Sequence, residues 1–289
     1  VGGALATNLS GPRRVGFGSA RDLLIGVTLV RADGVVAKAG GRVVKNVAGY
    51  DLGKLVVGSF GTLGVVTEAV FRLHPLPAAR RLVSAPFDGP EEAQRLVQAV
   101  LDGRIVPAAV EVDRPAEGPG TVSVLIEGIE AGVAGRAATA RELLGAPAEE
   151  GDVPDDWGAF PWAGADGARP TALKATFALS GLARVLATAR SAAADAGVPL
   201  ALRGSGGAGV LYGTLPAGAE PSAVRGVVER VRAECTSLGG ATVVLDAPAE
   251  VKAAVDTWGP VPALDLMRRV KDQFDPERRL APGRFVGGI

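Results

Sequence analysis

Apolar and polar positions change rhythm along this chain, and the changes mark its elements. Residues 1–20 are small and glycine-rich, a pattern that predicts a loop. Asp22–Gly40 alternates and is rich in Val, Leu and Ile, with Ala32-Asp33-Gly34 between two apolar runs; this predicts two strands joined by a tight hairpin turn. Leu63–Leu73 predicts another strand, closed by His74-Pro75-Leu76-Pro77, where two prolines stop regular structure. Beyond this the period lengthens. Glu91–Asp102 predicts an amphipathic helix entered after Pro90, and Ala131–Leu144 an Ala-rich one. Ala108–Val112 and Thr121–Glu127 predict strands. Gly145–Pro170, with many Gly, Pro and Asp and two of the three tryptophans, reads as a long surface loop. Further strands are predicted at Ala172–Leu179, Pro199–Arg203, Gly209–Leu215 and Thr242–Leu245, with helices at Ala183–Ala196, Ser222–Ser237 and Pro262–Phe274. Strands and helices linked this closely predict an α+β second domain, with the boundary in Pro75–Pro86. No short-period repeat is visible.

Composition narrows the function. The chain has 289 residues, 47% hydrophobic and 4% aromatic, so it is globular with a core of Ala, Val and Leu. Lys+Arg and Asp+Glu each number 31, which removes the general footprint of a nucleic-acid or anionic-membrane binder. Cys235 is the single cysteine; it excludes an internal disulfide and a cysteine-ligated iron–sulfur cluster, and it suits a reducing, cytosolic setting. The chain opens at Val1 in the middle of a glycine motif, so an N-terminal truncation is expected.

Glycine carries the candidate chemistry. Gly204–Gly209 (GSGGAG) satisfies a dinucleotide pattern, but a strand-like VLYGTLP follows it where a helix N-terminus is needed; a turn is the better reading. Gly58, Gly61 and Gly64 recur every third residue in GSFGTLG, and VGGALATNLSGPRR with the FGS after it has the same character. Glycine permits positive φ and close approach of main-chain N–H groups. Two such loops joined by a hairpin could wall an extended phosphorylated cofactor; on glycine spacing alone, ordinary turns are the simpler account.

The order of the motifs adds to this. GG-x-x-ATN-x-SG, then RD-x-x-x-G, DG, KN-x-x-GYDL, GS-x-GTLG-x-x-TE and LHPLP, with a terminal FDPERRLAPGRF, resembles the FAD-binding domain of the vanillyl-alcohol-oxidase/PCMH-type flavoproteins. The resemblance covers residues 1–77 and 262–289. It implies a PCMH-type FAD-binding domain lacking its N-terminal subdomain, joined to an α+β ferredoxin-like cap. The implied domains are residues 1–80, a cap over 81–261, and a segment 262–289 returning to the FAD domain. The resemblance places FAD contacts at Gly2, Gly3, Ala6, Thr7, Asn8, Ser10, Gly11, Phe17, Gly18 and Val66. It also implies an FAD-binding subunit that supports oxidation of a 2-hydroxy acid such as glycolate. Its partners would be a catalytic flavoprotein subunit and an iron–sulfur subunit, and any membrane contact would run through them.

Catalytic residues are not named by the sequence. Relatives carry an H-x-G-D-G-N-x-H-like, metal-holding motif in the cap; here it falls on Ser205–Tyr212, with Ser205 and Tyr212 at the histidine positions and Ala208 at the aspartate, so no metal site is expected. Lys45, Asn46 and Asp51 read as loop-ordering residues, and His74, the only histidine, as structural. Arg13, Arg14 and Arg203 could hold a carboxylate, although solvated loop arginines are the plainer reading. Two other functions fit the same residues: a free-standing FAD oxidoreductase of a small hydroxy acid or polyol, and a non-catalytic assembly subunit.

Overall fold

The computed structural model describes residues 1–43, 50–163 and 169–289. Lys45 and Asn46 lie outside the described residues. Contacts divide the chain into two compact units: residues 1–13, 17–76 and 260–289 form the first, and residues 14–16 and 77–259 the second.

The first unit opens with α1 (Gly2–Ala6), so the expected loop over residues 1–20 begins as a helical turn. This turn buries Leu5, which the glycine count hid. After α2 (Arg14–Phe17), which contributes residues to both units, α3 (Ala20–Leu23) starts in a capping box: the Asp22 carboxylate accepts from the Ser19 N–H and hydroxyl, each at 2.7 Å. β1 (Leu24–Val30) and β2 (Val36–Gly40) pair antiparallel across the expected Ala32-Asp33-Gly34 turn, with Gly34 at φ 81°. α4 (Leu52–Val56) is capped by Asp51, whose carboxylate accepts from the Lys54 N–H, giving that aspartate a loop-ordering role. β3 (Val65–Phe71) pairs with the other edge of β1, giving a three-stranded sheet in the order β2-β1-β3. Leu5, Leu24, Val27, Leu29, Val56 and Val57 fill its small core.

The second unit is built on one eight-stranded antiparallel sheet, in which a βαββαβ pattern occurs twice. The first copy is β4 (Ala79–Phe87), α5 (Pro90–Asp102), β5 (Ala109–Arg114), β6 (Gly120–Gly128), α6 (Glu130–Leu144) and β7 (Glu149–Gly151). The second is β8 (Thr171–Thr176), α7 (Leu182–Ala196), β9 (Ala201–Ser205), β10 (Val210–Leu215), α8 (Pro221–Ser237) and β11 (Ala241–Asp246), followed by α9 (Ala249–Ala254). The sheet order β11-β8-β10-β9-β5-β6-β4-β7 places each copy in the ferredoxin-like order, and the copies join edge to edge where β5 pairs with β9. One sheet face is apolar: Val110, Val112, Val122, Val124, Leu173 and Leu211 pack with α5, α6, α7 and α8 in a single core. The units part between Leu76 and Pro77, within the expected boundary Pro75–Pro86, and the rest of that stretch is mostly β4, whose Pro86 sits opposite Thr121 near the strand end. One expectation is corrected here. Within Gly145–Pro170, read as surface loop, Glu149–Gly151 adds an edge strand and residues 159–162 pack on the sheet.

Residues 260–289 belong to the first unit. α10 (Leu264–Phe274) carries Lys271, which is wholly buried. Among the described residues, no helix is long and apolar enough to cross a membrane.

Candidate functional site

In the first unit the two glycine-bearing stretches meet. The C-terminal end of α1 presents Leu5 O and Ala6 O, which accept from Gly58 N at 2.9 Å and Phe60 N at 2.8 Å. The second stretch can turn this sharply because Gly58 and Gly61 stand at φ 82° and 77°; Phe60 between them is left-handed too, at φ 56°. Asn8, at φ 49°, lies beside this turn, and a Cβ on Gly58 would meet Asn8 Cβ at 3.5 Å. Asn8 Oδ1, Ser10 Oγ and Ser59 Oγ are buried there without a hydrogen-bond partner. Buried polar atoms of a native fold are ordinarily satisfied, so these three on adjoining segments are atoms that a polar ligand could satisfy. Hydroxyl and amide groups of this kind suit an extended dinucleotide, and the residues present therefore fit FAD.

The positions expected from sequence fall unevenly around this turn. Gly2 and Gly3 are exposed on α1, and a Cβ on either would meet nothing within 4 Å. Ala6 lends its carbonyl to the turn, while the Thr7 hydroxyl donates back to Gly3 O at 2.9 Å and closes the helix. Asn8 and Ser10 supply orphan atoms; Gly11 is exposed beyond them. Phe17 packs its ring on His74, with centroids 4.7 Å apart, which gives that histidine a structural contact. Gly18 has a local reason to be glycine: at φ 79° its Cβ would press 2.8 Å from Asp22 Cβ in the capping box. Val66 pairs with Leu29 and packs on the small core. Ser59 escaped the sequence reading, because nothing in a GSFG tetrad says that its hydroxyl will be buried unpaired.

The second unit holds a separate polar surface, on the sheet face opposite the helices. Residues directly across an antiparallel ladder share a face, as do positions i and i+2. One row therefore runs Asp113, Arg203, Tyr212, Lys174, and the next Ser84, Ser123, Glu111, Ser205. Arg203 donates to Asp113 Oδ2 through Nε at 2.8 Å and Nη2 at 2.5 Å, and through Nη1 to Ala159 O at 3.2 Å. Its charge is thus committed to Asp113 from within β9, so Arg203 is neither a free carboxylate holder nor the solvated loop arginine of the plainer reading. Phe160 stacks on Trp162 at 4.8 Å, and both set their rings edge-on to Tyr212, at 4.8 and 6.0 Å.

Glu111 is the unusual member. It is only 6% exposed, and its Oε1 is buried without a partner. Burial pushes its carboxyl up to about 8, against the Ser205 hydroxyl and the Arg203 charge, which favour the ionised form. Arg14 also acts on Glu111, and it acts on Lys174 and Tyr212. Burial, then Arg14, lowers Lys174; burial raises Tyr212 and keeps its phenol protonated. The Arg14 segment is docked by Gly16 N, which donates to Ala108 O at 3.1 Å, and by Val15, which packs against Gly207. Neither Arg14 nor Lys174 is held in an ion pair among the described residues. The face thus sets Arg14 and Lys174 near a buried carboxyl whose ionisation burial disfavours.

Comparison with known proteins finds similar sequences and a similar fold. Residues 159–285 match the family described as FAD linked oxidases, C-terminal domain. The chain is 40% identical over 116 residues to glycolate oxidase subunit GlcD of Bacillus subtilis (strain 168), a match covering 40% of this chain and 25% of that protein. It is 49% identical over 78 residues to glycolate oxidase subunit GlcE of Escherichia coli (strain K12), covering 27% of this chain and 22% of the relative. A D-lactate dehydrogenase of Archaeoglobus fulgidus is 39% identical over 111 residues, covering 38% and 25%. The matched stretches thus span about a quarter of these relatives' length. Among solved structures, alkyldihydroxyacetonephosphate synthase superposes with a TM-score of 0.63 over 96% of this chain and 57% of the other, at 18% identity. That likeness shows the α+β, PCMH-type fold, and residues 159–285 are similar to the C-terminal domain of FAD linked oxidases.

Proposed function

We propose that this chain is the FAD-binding subunit of a glycolate oxidase-like complex and supports oxidation of a 2-hydroxy acid, glycolate to glyoxylate. The observation that carries the reading is the 49% identity over 78 residues to a glycolate oxidase subunit. In this reading Asn8, Ser10 and Ser59 hold the cofactor through their unpaired polar atoms, helped by main-chain groups of Gly2, Gly3, Ala6, Thr7, Gly11, Phe17, Gly18 and Val66. Bound flavin supplies a two-electron acceptor for the carbon–hydrogen bond of the substrate. Separately, on the second unit's polar face, Arg14 and Lys174 can attract an acidic ligand. A catalytic flavoprotein subunit and an iron–sulfur subunit would complete the complex, since this chain's one cysteine cannot ligate a cluster.

A second reading, a free-standing oxidoreductase of a small hydroxy acid, is favoured by the acid–base face of the second unit. One experiment separates the two. The chain is purified with and without its partners, its flavin extracted, and glycolate-dependent dye reduction measured. Yellow protein that reduces dye only with partners supports the first reading, and reduction by the chain alone supports the second. Colourless protein that takes up no FAD removes both.

A further inference from the structure

We propose that the second unit carries a further ligand site, a cleft between α7 and the β5–β6 connection, which takes a small amphipathic monocarboxylate. The alkyl body of the ligand lies inside and its carboxylate sits at Arg190 and Arg114. The site is independent of the flavin reading, since every residue that forms it belongs to the second unit.

The cleft follows from how the two βαββαβ copies join. β5 and β9 pair antiparallel, with Arg114 opposite Leu202 and Glu111 opposite Ser205, so the connection leaving each strand lies beside the segment entering the other. After β9 that connection is the short turn Gly206–Ala208, and it closes tightly: a Cβ on Gly206 would meet Val97 Cγ2 of α5 at 3.1 Å and Val112 Cγ2 at 2.7 Å. After β5 it is residues 115–119, where a Cβ on Gly118 would meet nothing within 4 Å. Here the connection stands off α7 and leaves a cleft of about 370 Å³, within the range of about 300–1,000 Å³ typical of small-molecule sites. Leu200 and Leu202 alternate with Arg203, so the cleft opens on the helix-covered side of the sheet, away from the polar face.

Its interior is hydrocarbon. Leu186 and Ala189 of α7 line it together with Val198, Leu200 and Leu202, all of them members of the main core. An alkyl group seated there removes apolar surface from water. Charge at the lining selects the head group. Arg114, Arg190 and Glu117 are the charged residues that line the cleft. Arg114 donates through Nη1 to Pro115 O and Gly118 O, which holds its guanidinium on the connection. Among the described residues neither Arg190 nor Glu117 is held in an ion pair. The C-terminal end of α7 would favour a cation, but Gly197 N and Val198 N already donate to Ala194 O and Ala193 O, at 3.1 and 3.0 Å. An ammonium head would therefore meet two cations and one acid, whereas a carboxylate meets two guanidinium forks that match its geometry.

The test uses the full-length protein with isotope-labelled leucine methyl groups, titrated with octanoate and, in parallel, with octylamine. Octanoate should bind saturably and shift the resonances of Leu186, Leu200 and Leu202, and octylamine should bind more weakly. Arg190→Gln, an exposed change, should weaken octanoate roughly 3–10-fold without altering the thermal melt. Ala193→Phe, which places a ring in the cleft, should abolish the three shifts. Octylamine binding as tightly as octanoate, wild-type affinity in Arg190→Gln, or no saturable octanoate binding overturns the proposal. Octanoate shifts confined to other leucines also overturn it, because the acid then binds elsewhere. Shifts of the same three leucines that follow protein concentration alone give the cleft to a second copy and overturn it too.

Discussion

Lys271 Nζ donates to Asp275 Oδ2 at 2.6 Å, one helical turn away, and neither side chain meets solvent. The same ammonium donates to Thr62 O at 2.7 Å and Leu280 O at 2.9 Å, so all three of its protons are used. Thr62 closes the Gly58–Gly61 turn through its hydroxyl, which donates to Ser59 O at 2.7 Å. The C-terminal helix thereby fixes the turn on which Ser59 sits. Lys271→Ala would leave a buried carboxylate and two carbonyls unpaired. It should destabilise the first unit by roughly 3–5 kcal/mol, read as a lower urea midpoint with early exposure of that unit to protease.

Acid should act on the same pair. Burial opposes ionisation of Asp275, but the Lys271 ammonium and the Leu280 and Arg279 N–H groups outweigh it and hold the carboxyl at about 2, below its ordinary 3.8. A depressed carboxyl contributes stability above its unfolded value and loses it as pH falls through the folded one. Thermal melts should therefore weaken between about 3.8 and about 2, and Asp275→Asn should flatten that part of the profile from a lower starting stability.

Glu111 works in the opposite sense. Its folded value of about 8 exceeds the ordinary 4.5, so the folded chain keeps a proton that the unfolded chain has lost. Stability should be highest below 4.5, fall as pH rises to about 8 and level off beyond it, with a slope of at most about 1.4 kcal/mol per unit. Glu111→Gln should abolish the slope. Chemical denaturation at a series of pH values reads both.

The glycines of GSGGAG can be tested as structure. Gly204 lies in β9, and Gly209 turns the chain into β10 at φ 63°. A Cβ on Gly209 would lie 2.1 Å from Phe177 O. Gly209→Ala should cost a few kcal/mol in a thermal melt while leaving FAD affinity of the folded fraction unchanged, since these glycines hold a strand–turn–strand corner.

Much of this fold is legible in the sequence. The Ala32-Asp33-Gly34 hairpin, the helices near 90–102, 130–144, 182–196 and 221–237, and the strands around them follow from local period and turn chemistry, which act over few residues. The doubled βαββαβ pattern does not follow, because its copies are joined by a β5–β9 pairing between residues about ninety apart in sequence. α1 was hidden by its two glycines, and β4 by prolines that a strand tolerates near its ends. Glu111 was hidden for the same reason as the seam: in PAAVEVD it looks like the polar half of an alternating strand, and only pairing with Ser205 and Ser123 buries it. Asn8 and Ser10 were visible through the ordered family motifs, whereas Ser59 needed three-dimensional information.

The account depends on flavin being held where α1 meets the Gly58–Gly61 turn, and titration of the flavin-free protein with FAD tests that most directly. Wild type should bind saturably, quenching flavin fluorescence. Asn8→Ala and Ser59→Ala should each weaken binding by roughly 3–10-fold, and removal of an orphan hydroxyl in Ser59→Ala should leave the flavin-free protein as stable as before, or more so. Affinity unchanged in both variants, or no saturable binding by wild type, would contradict the account.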